Sequence, residues 1–183
     1  FFCEQAAESG GATPICRSDI LLQQLREKLP DFVGDCENKG VRYSQTMPLE
    51  EDLDSGQGRS WQSTLSAGNR EQAETKLRNL NYDWQWQDDG SLSVTTPVLP
   101  AVRQLKDGRT VFFNQLIAAF RGWKDVRNSG EKSICFGDGS AIDSAHMGLA
   151  IELADELTFD IPWQSGDVAV LDNFLVMHGR RPF

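Results

Sequence analysis

Between Tyr82 and Thr95 the side chains alternate with a strictness that few local structures accommodate. Tyr82, Trp84 and Trp86 are separated by Asp83 and Gln85, Leu92 and Val94 by Ser93, and Asp88-Asp89-Gly90 lies between the two runs. A period of two is that of a strand, whose successive side chains point to opposite faces. An Asp-Gly pair supplies the positive φ that a tight hairpin turn demands. The segment therefore predicts a β-hairpin with one aromatic face. Three flat apolar rings in a row would also suit a sugar ring, but an inner sheet face packed on a core accounts for them more simply.

The rest of the chain predicts helices set among further strands. Gly10 to Pro14 reads as a turn. Ser18 or Asp19 is placed to cap a helix running to about Leu29, with Leu21, Leu25 and Leu29 on one face and Pro30 as its stop. A second helix carries Phe32, Val33 and Cys36 and ends at Gly40, and residues 41–47 read as a strand. The acidic stretch 49–58 reads as an exposed loop. Asn69 and Gln72 resemble a capping box before a helix bearing Ala73, Leu77 and Leu80. A second hairpin is expected around Asp107-Gly108, with helices at 115–123 and 144–157. Strands are expected at 158–161 and 168–171, and the segment 174–178 is extended. The pattern is that of an α+β fold, mainly β, with a mostly antiparallel sheet.

Lys and Arg number 18 against 27 Asp and Glu, a formal net charge of −9. Such a balance opposes phosphate backbones and anionic lipid surfaces alike, so neither nucleic acid nor membrane is expected as a partner. No apolar run approaches the ~18 residues of a membrane helix. The four cysteines, at 3, 16, 36 and 135, form no CxxC pair and read as small buried hydrophobes of a reducing compartment. The chain opens on Phe1-Phe2-Cys3 without an initiator methionine and closes on Arg181-Pro182-Phe183. Neither end has the polar fringe at which domains usually stop, so the residues are expected to be a piece of a longer protein.

Two histidines offer chemistry. His146 lies within a predicted helix, with no carboxylate at i+2 and no histidine at i+4, and reads as a packing residue. His178 follows an extended segment entered through Asp172-Asn173, where an imidazole can reach a metal or a substrate. A mononuclear metal site needs at least two more protein ligands, and none stands at convincing spacing. Phe136-Gly137-Asp138-Gly139-Ser140 lacks the spacing of a phosphate loop and reads as a turn.

Four segments together resemble the TauD/TfdA family of oxygenases: FFCEQAAESGGATPICRS at the start, RTVFFNQL, FGDGSAI, and IPWQSGDVAVLDNFLVMHGRRPF at the end. The likeness is greatest to the branch of clavaminate-synthase-like and SyrP-like proteins. The last segment is the most specific, because W-x-x-G-D-x-x-x-x-D-N-x-x-x-x-H-x-R joins a tight turn, a strand and a ligand at fixed spacing.

The resemblance implies a single domain over residues 1–183. Its fold would be a double-stranded β-helix, a jelly-roll with inserted helices, incomplete at both ends. It implies Fe(II), 2-oxoglutarate and O₂ as cofactor and co-substrates, and hydroxylation of an unactivated C–H bond with release of succinate and CO₂. The substrate would be a small molecule or a carrier-bound amino acid. His178 matches the family's distal iron ligand, and Thr13 matches a threonine that holds a 2-oxoglutarate carboxylate. Asp172 and Asn173 would steady the strand that delivers His178, and Phe112 and Asn114 would face the substrate. The family's HxD or HxE pair is absent, and its 2-oxoglutarate arginine would fall beyond Phe183. Arg180 and Arg181 stand too close to His178 for that task. The residues thus hold one of three expected iron ligands. Two other readings stay open: a halogenase, in which a small residue replaces the ligand carboxylate, and a non-catalytic binding protein on the same barrel. A homo-oligomer is also open, and the cytoplasm is the default compartment.

Overall fold

The computed structural model describes residues 1–182. In chain order its elements are β1 (Thr13–Arg17), α1 (Ser18–Lys28), α2 (Pro30–Lys39), β2 (Val41–Met47), α3 (Trp61–Leu65) and α4 (Arg70–Asn79). They continue with β3 (Asp83–Trp86), β4 (Leu92–Thr95), β5 (Arg103–Gln104), β6 (Thr110–Val111), α5 (Leu116–Gly122) and β7 (Ile134–Phe136). The last three are α6 (Ser144–Leu157), β8 (Phe159–Ile161) and β9 (Val176–His178). The fold is mixed α and β, and the registered strand pairs are antiparallel. Helices hold more of the described residues than strands do, because most of the strands are only two to four residues long. Among the described residues no helix is long and apolar enough to cross a membrane.

The chain divides into two compact units: Phe1–Gly34, Ala101–Asn114 and Gly148–Phe183 form the first, and Asp35–Pro100 with Gln115–Met147 the second. The second unit is built on a four-stranded sheet of order β3-β4-β2-β7. The expected hairpin forms, with Trp84 opposite Val94 and Trp86 opposite Leu92, and Gly90 takes φ +82° at the turn. Tyr82, Trp84 and Trp86 pack against a buried cluster of Met47, Trp61, Ala67, Ala73, Leu77, Leu92 and Val94. Trp86 meets Trp61 edge-on at 5.0 Å, and its indole N–H donates to Glu74 Oε1 at 2.9 Å. The aromatic stripe is thus a core face. Hydroxyls occupy the other face, where Ser44 meets Thr95 and Thr46 meets Ser93 at 2.9 and 2.8 Å. Asn69 caps α4 by accepting from Gln72 N, while Gln72 Oε1 accepts from Gly68 N. Gly40, at φ +65°, ends α2; a Cβ there would come within 2.7 Å of the Leu99 carbonyl oxygen.

The first unit contains the three-stranded sheet β8-β1-β9, with β1 in the centre. α1 packs against this sheet and against β6, burying Leu21, Leu22 and Leu25. The expected side-chain cap of α1 is absent. Arg17 holds the cap position, the Ser18 hydroxyl donates to Leu175 O at 2.6 Å, and Asp19 is taken up by the Arg17 guanidinium and the Ile20 N–H. Pro30 opens α2, the first helical turn being where a missing N–H costs nothing. Residues 168–171 do not form the expected strand. Val168 makes an isolated bridge to Phe2 and Ala169 exchanges backbone hydrogen bonds with Phe1, and Val170 beyond them is 92% exposed.

Candidate functional site

The site is organised by β1, whose two neighbours come from far along the chain. β8 sets Thr13 opposite Ile161 and Ile15 opposite Phe159, and β9 sets Ile15 opposite His178. Directly opposed residues of antiparallel strands share a face, as do residues two apart on one strand. Thr13, Ile15 and His178 therefore lie on one face, and Cys16 and Met177 on the other. Ile15 and Cys16 are both buried, and burial pushes the Cys16 thiol above its usual range, reinforced by the Asp155 carboxylate and opposed by its hydrogen bond with Thr158.

His178 is exposed, and the Phe1 ring stands edge-on to its imidazole at 5.3 Å. Phe1 is held by an antiparallel run in which Ala169 N donates to Phe1 O, Cys3 N to Asp167 O and Gly166 N to Cys3 O. Thr13 is nearly buried at 9% exposure, and its hydroxyl oxygen accepts the indole N–H of Trp163 at 3.0 Å. A hydroxyl that accepts from an indole keeps its own proton to donate. Trp163 belongs to the tight-turn phrase that ends in Asp167, whose carboxylate accepts from Gln164 N at 2.8 Å.

Asp172 occupies the turn that leads into β9. Its Oδ1 accepts from Phe174 N, and its carbonyl accepts from Leu175 N and Val176 N. Asn173 is exposed in the same turn. Ser18 N and Oγ both donate to Leu175 O and tie the turn to the start of α1. Phe112 follows β6 and belongs to none of the registered strand pairs. Its ring is fully buried, tilted against Phe32 at 6.3 Å, and its N–H donates to Ser18 O. Asn114 is half-buried and donates from Nδ2 to Ala101 O at 3.0 Å.

Sequence patterns alone assigned no role to Trp163 or Phe1. The only signal for Trp163 was its place in the W-x-x-G-D phrase, since a contact with a residue 150 positions away has no local signature. Among the described residues no group of three or more His, Cys, Asp and Glu is placed to hold a metal ion. A non-haem iron centre of the two-histidine, one-carboxylate type needs three such ligands on one face. The described residues do not by themselves fit such an ion, because His178 brings no second ligand with it.

The model of the family described as taurine catabolism dioxygenase TauD, TfdA family matches residues 1–183, and the chain belongs to that family. It is 34% identical over 184 residues to a clavaminate synthase-like protein of Arabidopsis thaliana, covering 100% of the chain and 56% of that relative. It is 28% identical over 194 residues to the dapdiamide synthesis protein DdaC of Enterobacter agglomerans, again with 100% and 56% covered. The chain thus spans little more than half the length of the curated relatives it matches.

Proposed function

We propose that these residues form part of an Fe(II)- and 2-oxoglutarate-dependent oxygenase. It would hydroxylate an unactivated C–H bond of a small molecule or carrier-bound amino acid, with 2-oxoglutarate and O₂ consumed and succinate and CO₂ released. The observation that carries the reading is the register of β1 with β9, which sets a histidine and a hydroxyl donor on one face in a chain of this family. The antiparallel sheets suit a double-stranded β-helix with inserted helices, a single domain whose N-terminal part and C-terminal end lie outside residues 1–183.

In this reading His178 supplies one of the three iron ligands. The other two, and the arginine for the distal 2-oxoglutarate carboxylate, come from chain outside these residues, in keeping with the greater length of the relatives. Iron would supply the oxidising chemistry. Thr13 would donate its free hydroxyl proton to a carboxylate oxygen, with Trp163 fixing the rotor by donating into the same oxygen. Asp172, with Asn173 beside it, would hold the turn that aims β9.

The test is His178→Ala in the full-length protein. Loss of both the visible Co(II) absorption and succinate formation from 2-oxoglutarate is expected. Succinate formation at the wild-type rate would overturn the reading.

A further inference from the structure

One face of the sheet β3-β4-β2-β7 closes on the apolar cluster, and the other carries a row of hydroxyls set by the register. Ser44 lies opposite Thr95, and their hydroxyls meet at 2.9 Å. On its other side β2 pairs with β7, Arg42 opposite Cys135 and Tyr43 opposite Ile134. One step further, Ser44 N donates to Ser133 O at 2.9 Å, so Ser133 stands across from Ser44 on the same face. Thr95, Ser44 and Ser133 thus form a line across β4, β2 and the entry to β7.

This row and residues 125–133 line a groove of about 360 Å³ within the second unit. The loop is fixed in place. Thr46 N donates to Asn128 Oδ1 at 2.7 Å and Asn128 Nδ2 donates to Thr46 O at 3.1 Å, so a side-chain amide takes the place of a strand partner. The carboxylates nearby are committed. Asp83, opposite Thr95, takes the Arg42 guanidinium. Asp125 accepts from the Ser55 hydroxyl, from the backbone N–H groups of Arg127 and Asn128, and from the Arg127 guanidinium, which reaches on to Asp52.

Two neighbouring residues of the groove have spent nothing. Lys132 is exposed and has no ion-pair partner among the described residues. Ser133 is only 3% exposed, yet its hydroxyl meets no hydrogen-bonding partner among the described residues. A hydroxyl so nearly buried is costly unless something outside the chain bonds to it. The Ser44–Thr95 pair uses one of its two protons between its oxygens, which leaves the other to donate. An unopposed ammonium beside hydroxyl donors selects an oxyanion. A lysine serves as a point charge and offers no planar fork, which suits the spread oxygens of phosphate better than a flat carboxylate.

We infer that this groove binds a phosphate group, held by Lys132, Ser133 and the Ser44–Thr95 pair. A second hydroxyl pair, Thr46 with Ser93 at 2.8 Å, lines the same groove two residues along the strands. The ligand class is therefore a phosphate monoester of a small hydroxylated molecule, and inorganic phosphate shares its chemistry. The inference goes beyond the oxygenase reading and does not rest on it.

The experiment titrates the full-length protein with ribose 5-phosphate, inorganic phosphate and ribose, following heat by calorimetry. Both phosphates are expected to saturate and to bind at least about tenfold more tightly than ribose. Lys132→Ala should weaken both by about tenfold or more, and Lys132→Arg should recover most of the loss. Added salt should weaken binding to the wild type and change Lys132→Ala little. Ser133→Ala should weaken both by roughly fivefold, the loss of one hydrogen bond. Thr46→Val separates the two sources. If the ester is the ligand, ribose 5-phosphate binds more tightly than inorganic phosphate and it alone weakens in this variant. If free phosphate is the ligand, the two bind alike and neither changes.

Heat that does not saturate with either phosphate up to about 10 mM would overturn the site. So would affinities within twofold of wild type in a Lys132→Ala protein of unchanged circular dichroism.

Discussion

The two sheets of this chain are stabilised in different ways. In the four-stranded sheet β3-β4-β2-β7, the hairpin strands are neighbours in sequence and one face is closed over Met47, Trp61, Leu77 and Leu92. In the three-stranded sheet β8-β1-β9, the central strand is drawn from the first tenth of the chain and its partners from the last fifth. Around that second sheet large apolar side chains stand in solvent: Phe159, Val168 and Val170 are each more than half exposed. The first arrangement spends its apolar residues on a core. The second spends its pairing on bringing Thr13, Trp163 and His178 together, and leaves apolar surface uncovered. Stability and site are thus carried by different regions.

That contrast is open to test, and the largest effect is expected in the closed core. Leu77→Ala removes a fully buried side chain, and a loss of about 2–5 kcal/mol is expected in urea unfolding. A loss below about 1 kcal/mol would mean that the aromatic cluster is not the stabilising centre of its unit. Replacing the cap of α4 in Asn69→Ala should cost about 1 kcal/mol, because Gln72 N loses its acceptor. On the other sheet, Trp163→Phe deletes one neutral hydrogen bond and should cost about 0.5–1.5 kcal/mol, while altering fluorescence on carboxylate addition. At the bottom of the scale, Val170→Ser should change stability by no more than about 0.5 kcal/mol. A larger cost would show that this strip is covered in solution.

Acid should act on the second unit through Asp125. Burial by itself would raise its pKa. The N–H donors of Arg127 and Asn128, the Ser55 hydroxyl and the Arg127 guanidinium outweigh that and hold the carboxyl below its usual range. A group whose folded pKa is depressed contributes stability above its unfolded pKa, near ~3.9, and loses it as pH falls through the folded value. Stability measured from pH 7 down to pH 2 should therefore fall less steeply in Asp125→Asn than in the wild type. Cys36 offers a complementary probe. Burial first, then the Asp35 and Glu37 carboxylates, push its thiol up to about 12, so iodoacetamide at pH 8 should label it only after unfolding.

Much of the closed unit was legible in the residues. The alternation at 82–95 gave the hairpin and its buried face, Asn69 with Gln72 gave the start of α4, and Gly40 gave the end of α2. These features are local, and their physics acts within a few residues. The same reasoning failed where a distant partner competed for a side chain. Ser18 has the chemistry of a cap, yet its hydroxyl goes to Leu175 O, because the chain folds a backbone carbonyl from 157 residues away onto it. At 168–171 the expected strand is reduced to a short pairing of Val168 and Ala169 with Phe2 and Phe1, because β propensity alone does not make a ladder.

The candidate site shows the same division. The sequence by itself determined the family and singled out His178 and Thr13 as candidates, because motif spacing is a property of the chain; the structure sets Thr13 in strand β1 rather than in the expected turn. Which residues stand beside them was decided by the tertiary structure. Strand register, set by the pairing of Ile15 with His178, puts His178 on the face of Thr13 and Met177 on the other. A shift of one residue would exchange His178 and Met177. Register is a balance of burial and pairing summed along the whole ladder, so no local stretch of sequence contains it.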